Sequence, residues 1–263
     1  MKRTDLIYES GIIEDERFGK LVHKSELHGT SYTDINADDD VCRELGLRKG
    51  RYITVFADKG DVTGCISELL GEMIPDGAVL AAGLGNADIC SDSIGSRALR
   101  FIPATAHLSS HPDFHSLGMR KVYVLEAGVM GKTGFESSSR VISAARSADA
   151  SCIIAIDSLA CSEPERLCTT VQITDTGIAP GSGVGNDRKV LDRESAGIPV
   201  IAVGVPTVID LDTLTGSDTG TGLMVTPRSV DVSAARLSDI IGHAVSRALN
   251  PSLTAEELDS LIV

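Results

Sequence analysis

Apolar runs of strand length recur along the chain from residue 52 onward: Tyr52-Ile53-Thr54-Val55-Phe56, Ala78-Val79-Leu80-Ala81-Ala82, Lys121-Val122-Tyr123-Val124-Leu125, Cys152-Ile153-Ile154-Ala155-Ile156 and Pro199-Val200-Ile201-Ala202-Val203. They are rich in β-branched residues, largely apolar on both faces, and close near a Gly or Asp. That pattern predicts central strands of a mostly parallel sheet. Segments able to carry helices lie between them, at residues 64–73, 95–101, 137–147 and 187–194. Alternating strands and crossovers predict a doubly wound α/β fold with right-handed connections. Residues 1–50 are charged and without sustained periodicity, and read as an N-terminal arm with a short helix. Residues 211–222 read as a flexible loop rich in Gly and Thr. Residues 232–249 place Ala235, Leu237, Ile240, Ile241, Ala244, Val245 and Leu249 at helical spacing, which predicts an amphipathic C-terminal helix. No repeat or domain boundary interrupts the 263 residues, so a single α/β domain is expected.

Composition narrows this picture. With 24 Lys+Arg against 37 Asp+Glu, the net charge of −13 argues against a phosphate-neutralising surface, so no nucleic acid is expected as ligand. There is no Trp and few other aromatic rings, so the core must be filled by Ala, Val, Ile and Leu. No secretory signal and no run of about 20 apolar residues is found, which predicts a cytoplasmic protein that does not engage a membrane. Six cysteines without a CxxC pair read as reduced core thiols.

Ligands of open α/β sheets bind beyond the carboxyl ends of the strands. Three segments there carry chemistry: Gly83-Leu84-Gly85-Asn86 with Asp88 and Asp92 beyond it, Asp157 directly after Ile153-Ile154-Ala155-Ile156, and the Gly-rich stretch from Thr174 to Asn186. Asp157 is read either as a carboxylate at the active edge of the sheet or as the cap of a following helix. Asp92 is read in the same two ways, its helix starting near Ser93. Brought together in a partly dry cleft, the two would repel and share one proton, a pair able to deprotonate a water and protonate a leaving amine. Gly83-Leu84-Gly85 lacks the third glycine of a dinucleotide loop, since Asp88 stands in its place. The Gly181-Ser182-Gly183-Val184-Gly185 stretch is either a nest of backbone N–H groups or a close-packing loop. His107, His111 and His115 have a metal-like spacing on a helix, but Pro112 favours a loop there.

Taken in order, Arg3-Thr4-Asp5-Leu6, Lys49-Gly50-Arg51-Tyr52-Ile53-Thr54, Gly83-Leu84-Gly85-Asn86, Gly128-Val129-Met130-Gly131 with Thr133-Gly134, Ile153-Ile154-Ala155-Ile156-Asp157, Asp175-Thr176-Gly177-Ile178 with Pro180-Gly181-Ser182-Gly183-Val184-Gly185-Asn186, Gly204-Val205-Pro206-Thr207-Val208 and Met224-Val225-Thr226-Pro227 resemble the germination protease family of spore-forming bacteria. These endopeptidases start the breakdown of small acid-soluble spore proteins. The resemblance implies a three-layer α/β/α peptidase similar to the hydrogenase-maturation endopeptidases. It also implies a homotetramer made as a zymogen, working in the forespore or spore core on small acid-soluble spore proteins. The family's two proposed catalytic aspartates fall on Asp92 and Asp157, the residues the strand-end argument selects. Substrate or oxyanion contacts are expected from Gly83, Gly85, Asn86, Gly181, Ser182, Gly183, Gly185 and Asn186. No cofactor is expected; a metallopeptidase using the same aspartates and a catalytically impaired spore binding protein are the alternatives.

The sequence also departs from the family. Around Asp92 it reads Cys90-Ser91-Asp92-Ser93-Ile94-Gly95-Ser96, without the two prolines of the family's T-P-D-A-L-G-P motif. Lys132 stands where Gln is usual, and an ammonium near the site would lower an aspartate pKa. The chain starts almost at Arg3-Thr4-Asp5-Leu6, and the segment between Val208 and Met224 is abbreviated, so propeptide regulation is expected to be absent or altered.

Overall fold

In the computed structural model, which describes residues 5–13, 15–180 and 189–262, the chain folds around one mixed β-sheet. Its strands are β1 (Val22–Leu27), β2 (Thr30–Ala37), β3 (Gly50–Phe56), β4 (Val79–Gly83), β5 (Val122–Glu126), β6 (Cys152–Cys161), β7 (Thr170–Thr174), β8 (Val200–Asp210) and β9 (Met224–Val225). They lie in the order β1-β2-β3-β7-β8-β6-β4-β5, with β9 beside β8. Helices α1 (Asp39–Leu45), α2 (Val62–Gly71), α3 (Ile94–Ala98), α4 (Asp113–Ser116), α5 (Met130–Thr133), α6 (Ser137–Ser147), α7 (Arg193–Ala196), α8 (Leu211–Thr215), α9 (Val230–Leu249) and α10 (Ala255–Ser260) connect and cover them. None is long and apolar enough to cross a membrane.

The α/β class is as expected, but the sheet is not mostly parallel. Only β5, β4, β6 and β8 run parallel; β7, β3, β2, β1 and β9 are all joined by antiparallel pairing. Burial on both faces explains the mismatch. It reports that both faces of a strand are covered, whatever its direction, and Tyr52, Ile53, Thr54 and Val55 of antiparallel β3 are buried as the residues of parallel β4 are.

Alternation along the strands feeds two cores. Ile154 and Ile156 of β6 join Ile201 and Val203 of β8 beneath α2, α3 and α9, whereas Ile153, Ala155 and Val200 face Val141 and Ala145 of α6 and Ala196 of α7. Helices therefore cover both faces over the parallel strands. Over the antiparallel wing the second face is instead covered by the N-terminal segment, with Ile7, Ile12, Phe18 and Val41 packed on Ile35, Ala37 and Tyr52. The expected three-layer arrangement is thus not continuous across the sheet. Residues 1–50 are also more than an arm, because β1 and β2 form a hairpin within the sheet. The stretch at 211–222 begins with α8, and the helix expected at 187–194 falls partly outside the described residues.

Candidate active site

Strand β4 ends at Gly83, opposite Ile156, whereas β6 runs on through residues 157–161 paired with β8 alone. Past Ile156, one edge of β6 has lost its β4 neighbour, and a cleft of about 340 Å³ opens there. Asp157 is therefore inside a strand and not at its end; no helix follows that it could cap. Its side chain is 4% exposed, and Oδ1 accepts the Ser158 N–H at 2.8 Å.

Asp92 reaches the same cleft from the other side of the chain. It closes the 3-10 turn Cys90–Asp92, one residue ahead of the Ser93 that precedes α3. The turn is fastened by the Asn86 N–H on the Asp92 carbonyl at 2.8 Å and by the Thr207 hydroxyl on the Ser91 carbonyl at 2.6 Å. Close approach of backbone makes this possible. A Cβ on Gly95 would stand 2.3 Å from the Ile156 oxygen, and one on Gly85 would stand 2.2 Å from the Asp92 oxygen. The turn and the strand can lie this close only because these positions lack side chains.

The sequence-selected residues separate into groups. Asp92, Asp157 and Gly85 line the cleft together. Gly83 acts in packing, since a Cβ there would stand 2.6 Å from the Gly95 backbone. Two amides of the Gly83–Asn86 loop are already engaged: the Leu84 N–H donates to Ile156 O at 2.8 Å and the Asn86 N–H to Asp92 O. They hold the site together, so the main-chain N–H of Asn86 is taken up within the loop. Lys132 pairs with Asp88 and is not among the residues lining the cleft. Gly181, Ser182, Gly183, Gly185 and Asn186 lie outside the described residues; Ile178, Ala179 and Pro180, which lead into them, line the cleft.

Asp5 is the cleft residue that strand-end reasoning missed. Its N–H donates to the Ala160 carbonyl at 3.0 Å, and its Oδ2 accepts the Ala160 N–H at 2.9 Å. Four residues later the Glu9 carboxylate accepts the N–H groups of Ser162 and Glu163, at 2.6 and 2.9 Å. The N-terminal segment thus lies against the end of β6, through Asp5 and then through the Glu9 carboxylate of the 3-10 turn Ile7–Glu9. Its only sequence signal is the Arg3-Thr4-Asp5-Leu6 motif, because the partner of Asp5 is 155 residues away.

The histidines do not contribute. His107 sits in the 3-10 turn Ala106–Leu108 and His115 in α4, both exposed and neither in the cleft lining. Among the described residues no three His, Cys, Asp or Glu side chains gather closely enough to hold a metal ion, and the cleft offers carboxylates without an imidazole. The described donor set therefore does not fit a three-ligand metal centre. All six cysteines are free, and four of them, Cys65, Cys152, Cys161 and Cys168, are buried.

A family model described as germination protease matches residues 10–221. The chain is 35% identical over 243 residues to the germination protease of Priestia megaterium, an alignment that takes in 82% of this chain and 65% of that one. It is 36% identical over 244 residues to that of Bacillus cereus, with the same two shares. Against the germination protease of Clostridium perfringens identity is 29% over 325 aligned positions, 99% of this chain and 98% of that one. The chain thus spans just under two thirds of the Priestia and Bacillus relatives. On the breadth of the family match and these identities, the chain belongs to the germination protease family.

Proposed function

We propose that this chain is an endopeptidase that begins the degradation of small acid-soluble spore proteins at germination, with Asp92 and Asp157 activating the water. The observation that carries this reading is the meeting of two carboxylates, from separate elements, in one cavity at the open edge of a strand. Two such groups sharing a poorly solvated site hold one proton between them, which supplies a base and an acid at once. The ionised aspartate takes a proton from water as its oxygen attacks the peptide carbonyl carbon; the protonated one gives its proton to the departing amine. Peptide binding at this edge has support within the molecule itself. Asp5 already meets β6 at Ala160, its N–H donating to the Ala160 carbonyl and its carboxylate accepting the Ala160 N–H, so this edge takes hydrogen bonds from a further segment as a strand-adding substrate would require.

Asp92→Asn and Asp157→Asn should each abolish cleavage of a purified small acid-soluble spore protein while leaving the melting temperature close to that of the unaltered chain. A chelator should leave the rate unchanged. Retained cleavage in both variants would refute the aspartate assignment; loss on chelation with recovery on adding a divalent cation would refute metal-free water activation.

A further inference from the structure

Peptide hydrolysis through two carboxylates leaves one requirement unmet. As water attacks, the carbonyl oxygen becomes an oxyanion; the ionised aspartate cannot stabilise it, and the protonated one is committed to delivering its proton to the leaving amine. A donor is needed, and several candidates in the cleft are already engaged. The Ser137 hydroxyl donates to the Gly128 carbonyl and the Thr207 hydroxyl to the Ser91 carbonyl. The Leu84 and Asn86 amides close the loop onto Ile156 and Asp92.

Ser158 differs. It lines the cleft next to Asp157, and its Oγ is buried without a hydrogen-bond partner. A buried hydroxyl left orphaned is costly and uncommon in a folded protein, and at a cavity it marks a place where a ligand supplies the missing partner. The strand geometry gives it a suitable position. Alternation along β6 sends Asp157 to the α6 side with Ile153 and Ala155, and Ser158 to the α3 side with Ile156, where Asp92 precedes the helix. Because β4 has already stopped at Gly83, both faces of the strand open on the same cleft.

We infer that the Ser158 hydroxyl is the oxyanion donor, a catalytic residue beyond the aspartate pair; the inference rests on the proposed peptidase reading. In the step, the water oxygen bonds to the carbonyl carbon and its proton passes to the ionised aspartate. The carbonyl π pair moves onto oxygen, which accepts a hydrogen bond from Ser158 Oγ–H. When the tetrahedral intermediate collapses, the C–N bond breaks and the amine leaves with the proton of the second aspartate. Ser158 keeps its own proton throughout.

The test is the kinetics of Ser158→Ala and Ser158→Thr on a purified small acid-soluble spore protein, together with their melting temperatures. Loss of the donor should lower kcat by about 10²–10³-fold with KM little changed, while Thr, which keeps the hydroxyl, retains most of the rate. The Ala variant should melt no lower than the unaltered chain, since no hydrogen bond of the free protein is removed. Unchanged kcat in Ser158→Ala overturns the inference. So does a marked drop in its melting temperature, which would reveal a structural partner. Failure of the underlying reading has a separate signature: Asp92→Asn and Asp157→Asn would cleave normally, whatever Ser158→Ala does.

Discussion

Gly85→Ala is the sharpest perturbation of the site that leaves every cleft carboxylate in place. Gly85 has φ +83°, where an L-residue is strained, and a Cβ there would stand 2.2 Å from the Asp92 carbonyl oxygen and 2.8 Å from Oδ1. Ordinary contact begins near 3.4 Å, so the two backbones must part by about 1.2 Å. The conformational strain alone costs roughly 1–2 kcal/mol. In a chain of this length that lowers the melting temperature by roughly 2–8 °C. The effect on rate should be larger, because moving a reacting group by about 1 Å can cost around 100-fold. The Asn86 N–H to Asp92 O bond, which fixes the turn, would be strained by the same shift. The assay pairs kcat on a small acid-soluble spore protein with a thermal melt. Gly71→Ala serves as control, since a Cβ there meets nothing within 4 Å. A Gly85→Ala variant that melts lower but keeps its kcat within about twofold would refute the claim that this glycine sets the position of a catalytic Asp92.

Two further outcomes follow from the chemistry away from the cleft. Burial pushes the thiols of Cys152 and Cys161 up to about 12 and that of Cys65 to about 11, so little thiolate forms at pH 8. Iodoacetamide followed by peptide mass spectrometry should find the half-buried Cys90 and Cys42 labelled first; early labelling of Cys152 would contradict the packing of β6. Asp192 is held below its ordinary 3.8: burial raises it, but hydrogen bonds from Ser195 and the charge and hydrogen bond of Arg48 outweigh that. A depressed carboxyl stabilises the fold above its unfolded pKa and loses that contribution as pH falls through the folded one. Asp192→Asn should therefore melt below the unaltered chain at pH 6, with the gap closing as pH drops below about 4; a gap constant with pH would contradict the Arg48–Asp192 pairing.

What the sequence made legible follows the physics of each signal. Strands β3, β4, β5, β6 and β8 are read to within a few residues at their starts because long apolar runs have little alternative to burial. Strand β1 escapes because His23-Lys24-Ser25-Glu26 is exposed throughout, as suits an edge strand that must resist further pairing. Thr170-Val171-Gln172-Ile173-Thr174 escapes for the opposite reason. Its polar residues are buried, and Gln172 is satisfied by the distant Asp5 carbonyl and Ile7 N–H. Asp92 and Asp157, which both line the cleft, stand out by their position after apolar runs, although Asp157 is internal to its strand. Asp5 could not be found that way, because its place depends on a contact between the two ends of a long stretch of chain.

The unequal lengths of β4 and β6 tie these features together. In a parallel sheet, a strand that outruns its neighbour leaves a row of N–H and C=O groups without a ladder. Here the first of these groups, the Ile156 carbonyl, is met by Leu84, and those of Ala160 by Asp5. Ser158 lies between these two fastenings, with Asp157 beside it and Asp92 brought in by the turn that Gly83, Gly85 and Gly95 allow to approach. The glycines that suggest a phosphate loop are thus explained by backbone contact, and a pyrophosphate here would meet three carboxylates. On the proposed reading, a peptide bound at this edge would lie beside the acid–base pair that cuts it. A substrate strand added between Leu84 and Asp5 would present its carbonyl to the unpartnered Ser158 hydroxyl, so binding and chemistry would both follow from the point at which β4 stops.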